Sequence, residues 1–179
     1  IGNENGMFGN SFGGTKAQYT ERYKVFYNAI KARYPQITTI ANVRVDAPME
    51  VVDDHFSMTP QWFCENISKY DSHSRQGPKV YVGEYAVTQG CGQGNLAAAL
   101  GEAAFMTGLE RNSDCVVMSS YAPMFVHAEH RKWNPDIMVF DDRRSFGTPS
   151  YYVQQLFARN RPDVLVKTDV PLIEESHSL

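Results

Sequence analysis

Apolar runs of strand length alternate with helical segments along most of this chain, and that order permits few folds. Thr15 is placed to cap a helix. Tyr19, Tyr23, Phe26, Tyr27 and Ile30 then recur at spacings of three and four, one apolar stripe that ends before Pro35. Ile37 to Val43 and Val51 to Phe56 read as short strands, the second carrying Asp53, Asp54 and His55. Thr59-Pro60 opens a helix to about Tyr70, and Lys79 to Val87 (KVYVGEYAV) is the clearest strand. Asn95 caps an Ala-rich helix to about Arg111, Cys115 to Ala122 is a fourth strand, and Thr148-Pro149 opens a helix to about Arg159. Residues 5–14 form a Gly/Asn-rich loop and His127 to Phe146 a long polar one. Val164 to Val170 reads as a last strand, and the tail after Pro171 as loose.

This order predicts parallel α/β structure. The strand starts at 79 and 115 lie 36 positions apart, near the roughly 30 residues of one unit in a (β/α)8 barrel. Only seven residues, Arg44 to Glu50, join the first two strands. A helical crossover needs about 10–12, so this unit is expected to lack its helix.

Charge and cysteine content exclude several functions. Lys and Arg total 17 against 20 Asp and Glu, a net charge of −3. With no basic block, neither nucleic acid nor an anionic membrane surface is the expected partner. The three cysteines (Cys64, Cys91, Cys115) are an odd number without C-x-x-C spacing, which argues against a disulfide framework and a four-ligand zinc site. Cys64 and Cys115 sit in apolar runs and read as core residues. The apolar stretch from Cys115 to Val126 is broken by serines and a proline, and is shorter than the ~20 residues of a membrane helix. The chain opens on Ile1-Gly2-Asn3-Glu4 without a methionine. That reads as a start inside a fold, so nothing follows about compartment.

The chemistry-bearing candidates are carboxylates and a histidine at strand ends. Glu84 follows Val82-Gly83 late in the best strand, on the side where parallel α/β barrels carry their sites. It also suits a rim salt bridge. Glu4 is a surface-loop acid when taken alone, but a rim acid if Ile1 and Gly2 end a strand. His55 reaches the same rim and can hold a carboxylate ionised. Two rim carboxylates on different strands are what glycoside hydrolysis requires, one protonated and one ionised. Other patterns are weaker. Gly90-Cys91-Gly92-Gln93-Gly94 misses the G-x-G-x-x-G spacing of a dinucleotide loop and lacks the following acid. His127 and His130 lack the H-E-x-x-H order and fall in the polar loop.

Several of these segments together resemble one family. IGNE at 1–4, RYKVFYNAIKARYP at 22–35, VDDHF at 52–56, KVYVGEYA at 79–86, ALGEAAFMTGLERNSD at 99–114, SYAP at 120–123 and TPSYYVQQLF at 148–157 resemble the α-L-arabinofuranosidases of glycoside hydrolase family 51. The resemblance implies a (β/α)8 barrel followed by a β-sandwich. Residues 1–162 would then be the C-terminal half of the catalytic barrel, from the end of strand 4 to helix 8. Residues 163–179 would begin the sandwich or form a loose tail. It also implies a retaining exo-acting hydrolase, with Glu4 as acid/base, Glu84 as nucleophile, and Asn3 and His55 binding sugar. No metal or organic cofactor is implied. The family often has H-Y-Y where this chain has His55-Phe56-Ser57, which removes a phenol expected near the nucleophile. The implied partners are an arabinose-containing glycan and the N-terminal half of the barrel, or a second copy covering the open sheet. The isolated piece is expected to be inactive. The alternatives are a barrel glycosidase of other sugar preference, a non-catalytic carbohydrate-binding fragment, and, least favoured, a nucleotide-binding α/β domain.

Overall fold

The computed structural model describes residues 1–7 and 13–166. The chain runs α1 (Lys16–Arg33), β1 (Ile40–Ala41), β2 (Val51–Met58), α2 (Pro60–Glu65), β3 (Lys79–Val87), α3 (Leu96–Arg111), β4 (Val116–Tyr121), β5 (Phe125–His127), β6 (Met138–Phe140), β7 (Ser145–Gly147) and α4 (Pro149–Arg159). Strands β1-β2-β3-β4 form one parallel sheet in that order. Parallel α/β architecture is therefore present as expected.

Local chemistry sets the helix starts. The Thr15 side chain accepts from the Gln18 amide while the Gln18 side chain accepts from the Thr15 amide, a reciprocal cap. Asn95 accepts from the Ala98 amide at 2.9 Å, and Thr59 from Trp62 at 3.1 Å, with Pro60 in the first turn. Thr148 is different. Its hydroxyl donates to the Ile137 carbonyl rather than capping α4.

The helix-facing side of the sheet buries Val52, Val80, Val82 and Tyr85 against Phe63 of α2 and Phe105 and Leu109 of α3. Phe105 meets Phe63 edge-on at 5.2 Å between ring centres. A smaller core joins Tyr19 and Tyr23 of α1 to Ala41 and Val45, with Ile1 packed against it. The Tyr19 hydroxyl donates to the Ile1 carbonyl at 2.6 Å and accepts from the Asn42 amide at 2.7 Å, so α1 ties the opening segment to the end of β1.

Helix α3 lies close against α2 because it presents glycines. A methyl at Gly108 would overlap the Ile67 carbonyl, and one at Gly101 would come within 2.8 Å of the Pro60 oxygen. Backbone has no rotamer with which to move aside. Gly108→Ala should therefore lower the unfolding free energy by about 2 kcal/mol, measured by urea denaturation; an unchanged midpoint would mean that the turn at Ile67 gives way freely.

Several expectations need correction. The polar stretch from His127 to Phe146 contains β6 and part of β5 and β7, a three-stranded sheet. Its strands are three residues each, too short to show alternation. Helix α2 stops at Glu65 and turns carry the chain on to Tyr70. The first strand shrinks to Ile40–Ala41, and the Asn42–Glu50 connection holds no helix, as its length foretold. Cys115 is buried but Cys64 is exposed, on the outer side of α2. Phe26 is also exposed, whereas Tyr19 and Tyr23 are fully buried. Residues 164–166 are exposed and outside any strand. The rest of the expected strand to Val170, and the tail to 179, lie outside the described residues, as do 8–12 of the Gly/Asn-rich loop.

Candidate active site

Three separate segments meet at one point on the sheet face away from α2 and α3. Glu4 arrives on the opening segment, His55 on β2 and Glu84 on β3. His55 Nδ1 lies 3.0 Å from Glu4 Oε1 and 3.8 Å from Glu84 Oε2. One oxygen of Glu4, one ring nitrogen of His55 and one oxygen of Glu84 all lie within 4.8 Å of one another. Among the described residues these are the one trio of acidic, histidine or cysteine side chains gathered so closely.

The backbone bends to make this meeting. Glu4 adopts φ +53°, a left-handed conformation rare outside glycine, and its carbonyl accepts from the Met7 amide at 3.2 Å. The Asn42 side chain holds the same turn by donating to the Asn5 carbonyl at 2.7 Å.

On β3 the device is a bulge. Asp54 pairs with Val82, but His55 pairs with Glu84, so Gly83 is skipped. Counting by twos from Val80 and Val82, which face the helices, Glu84 belongs in the apolar core. The extra residue turns Glu84 to the other face and sends Tyr85 into the core instead, against Phe63 and Phe105. The freed Gly83 amide donates to Asp53 Oδ1 at 3.0 Å, and the Gly83 carbonyl accepts from the Ser120 hydroxyl at 2.5 Å. Ser120 is in turn 2.7 Å from the Tyr81 hydroxyl. A methyl at residue 83 would overlap the Asp53 carboxylate.

His55 is nearly enclosed, with 4% of its side chain exposed. Burial disfavours a charged ring, but hydrogen bonds to Asp53 and Glu4 and the charges of Asp53 and Glu84 outweigh it. The ring is held up to about 9 from its ordinary 6.5. Burial likewise pushes the Glu84 carboxyl up, opposed by His55 and reinforced by Glu4 and Asp53. The imidazolium is the group that counters this crowding of acids. While protonated, His55 has no lone pair for a metal ion.

This gives a testable result. The His55 ring, followed by NMR, should titrate with a midpoint of about 9 and stay protonated across neutral pH. The folded value exceeds the unfolded one. The ring's contribution to stability is thus complete below about 6.5 and lost as pH rises through about 9. A midpoint near 6.5 would mean the carboxylates do not act on it.

Glu4, Glu84 and His55, all marked by the sequence, come together here. Asn3 is exposed beside Glu4. Phe56 turns away from the site, packing on Trp62 at 5.1 Å and on Phe105. Ser57, two places after His55, is exposed. Sequence reading missed Asp53 and Gly83. Asp53 could have been found as an acid two places before His55 on the same strand face, and Gly83 as the residue preceding Glu84.

One carboxylate on a parallel strand and a second on the opening segment, with a histidine between them, make the kind of carboxylate pair that glycoside hydrolysis uses. The family model "Alpha-L-arabinofuranosidase C-terminal domain" matches residues 83–177, more than half of the chain, and "Alpha-L-arabinofuranosidase 1 domain" matches residues 1–75. The chain belongs to the α-L-arabinofuranosidase family. Alpha-L-arabinofuranosidase 1 of Arabidopsis thaliana is 46% identical over 151 residues, covering 81% of this chain and 22% of that protein. An extracellular exo-α-L-arabinofuranosidase of Streptomyces chartreusis is 42% identical over 165 residues, 83% of this chain and 19% of its own length. The chain thus spans about a fifth of these curated relatives. The solved structure of the arabinose-bound MgGH51 α-L-arabinofuranosidase superposes with a TM-score of 0.77 at 34% identity, covering 91% of this chain and 28% of that one. The two family models meet between residues 75 and 83, yet β2 and β3 on either side are hydrogen-bonded neighbours.

Proposed function

We propose that this chain is the C-terminal half of the catalytic (β/α)8 barrel of a retaining α-L-arabinofuranosidase. The whole protein would remove terminal non-reducing α-L-arabinofuranosyl residues from arabinose-containing glycans. The approach of Glu4 and Glu84 to within 4.8 Å carries the reading, because retaining glycosidases hold their carboxyl groups about 5 Å apart and inverting ones roughly 6.5–9.5 Å. Glu84 attacks the anomeric carbon while the Glu4–His55 pair supplies the proton that leaves with the glycosidic oxygen. A covalent arabinosyl ester on Glu84 results. Glu4, now a carboxylate, takes a proton from water as that water attacks C1, which frees arabinose in the α configuration and regenerates Glu84. Asn3 and His55 bind the sugar in this reading.

Residues 1–162 would close into a barrel with the preceding half, and 163–179 would lead into a β-sandwich. The open surfaces support this. Strand β4 ends the sheet with Val117 and Met118 each 46% exposed. A groove of about 540 Å³ runs beside it, lined by Leu109, Met118 and Phe157. On α1, Val25 and Phe26 are exposed. Such an edge invites a covering layer. The 179-residue piece alone should therefore be inactive.

Hydrolysis of an aryl α-L-arabinofuranoside by the full-length protein, with the first-formed anomer read by NMR, tests the reading. Release of α-arabinose is expected. The β anomer would overturn retention, and turnover only of pyranosides would overturn the sugar assignment.

A further inference from the structure

We propose that Asp53 is a positioning residue of this site, one carboxylate that fixes both the His55 ring in front of Glu4 and the bulged peptide that aims Glu84. The inference rests on the proposed hydrolysis and adds to it the group that sets the geometry of both carboxylates.

Asp53 sits on β2 with 13% of its side chain exposed. Its two oxygens face different partners. Oδ2 lies 3.1 Å from His55 Nε2, and Oδ1 accepts from the Gly83 amide at 3.0 Å. The first contact fixes which ring nitrogen faces Glu4. With Nε2–H given to Asp53, Nδ1 always points to Glu4, as a donor to the ionised acid or as an acceptor from the protonated one. His55 then keeps the same place whichever of the pair holds the shared proton.

The second contact satisfies the amide that the bulge removes from the strand ladder. Without an acceptor there, an in-register pairing of β2 with β3 would restore that bond and turn Glu84 toward the helices. The space above Gly83 is filled by the same carboxylate, which ties the glycine to the acid. The titratable groups facing the ring are Asp53 from its own strand, Glu84 from β3 and Glu4 from the opening segment. The Tyr19 phenol lies within electrostatic reach of Asp53.

The test uses the full-length protein with Asp53→Asn and Gly83→Ala. Asparagine keeps the size of Asp53 and can still accept from the Gly83 amide, but it brings no charge to His55. For D53N the His55 ring midpoint, by NMR, should fall from about 9 to about 7 or below. The basic limb of the kcat profile should move with it. At neutral pH kcat should drop about a hundredfold, with KM changed by less than about threefold. G83A displaces the carboxylate and should reproduce both shifts, so it carries the test if D53N does not fold. A ring midpoint unmoved in the folded variants would overturn the proposal, as would a fall in kcat with the pH limb in place, which is what a merely structural aspartate gives. If the unmodified protein cleaves no arabinofuranoside, the functional reading fails on its own and the ring titration still decides the role of Asp53.

Discussion

Glu84→Ala in the full-length protein should abolish turnover of every arabinofuranoside, by about ten-thousandfold or more. No glycosyl-enzyme can form without this carboxylate, and a better leaving group does not compensate. Azide should partly restore reaction with an aryl substrate by entering the space the side chain leaves. It then displaces the leaving group in a single inversion, so the α-linked sugar gives the β-azide. Circular dichroism and a thermal melt should match the unmodified protein, since Glu84 is 42% exposed and its removal also relieves crowding among Glu4, Asp53 and Glu84. A variant that keeps more than a few per cent of its activity would exclude Glu84 as nucleophile.

Glu4→Ala should act differently according to the substrate. With an unactivated glycan, activity should fall by about a thousandfold, because the leaving oxygen must depart unprotonated. With a dinitrophenyl leaving group the first step survives, and the intermediate accumulates for want of a base. A burst of phenol is then followed by slow turnover. Azide needs no base and should speed that slow step. Two inversions now occur, one by Glu84 and one by azide, so the product is the α-azide. If Glu4→Ala gives the β-azide and Glu84→Ala the α-azide, the two roles are exchanged.

The site was partly legible because strand-end acids and a histidine leave a trace in the pattern of apolar runs. Glu84 stands out after Lys79-Val80-Tyr81-Val82, and His55 in a β-branched run. Direction was not legible. Strict alternation places Glu84 with Val80 and Val82, inside the core. Only the skipped residue at Gly83 turns it out, and a bulge has no signature beyond a glycine. Asp53 was hidden for a related reason. Its two contacts reach 2 and 30 residues along the chain, and no local pattern reports the longer one. The contact between His55 and Glu4 spans 51 residues. It depends on a left-handed turn at Glu4 that nothing in Asn3-Glu4-Asn5 requires.

Helix boundaries fared better because their causes are local. Thr15, Thr59 and Asn95 each cap the helix that follows them. Burial fared worse at Cys64 and Phe26, whose apolar neighbours promised a core. A helix has an outer side, and which residues occupy it depends on what packs against the inner one.

The sequence by itself determined the alternation of strands and helices, the helix starts, the missing crossover helix between β1 and β2, and the residues able to do acid–base chemistry. Those follow from short-range sterics, capping and periodicity, which act within a few residues. The tertiary structure alone decided that Glu4, His55 and Glu84 share one face, that Asp53 and Gly83 belong with them, and that the acids around His55 raise its ring against the lowering effect of burial. Those depend on strand register and on charges brought together from distant segments, and both exist only once the sheet has formed.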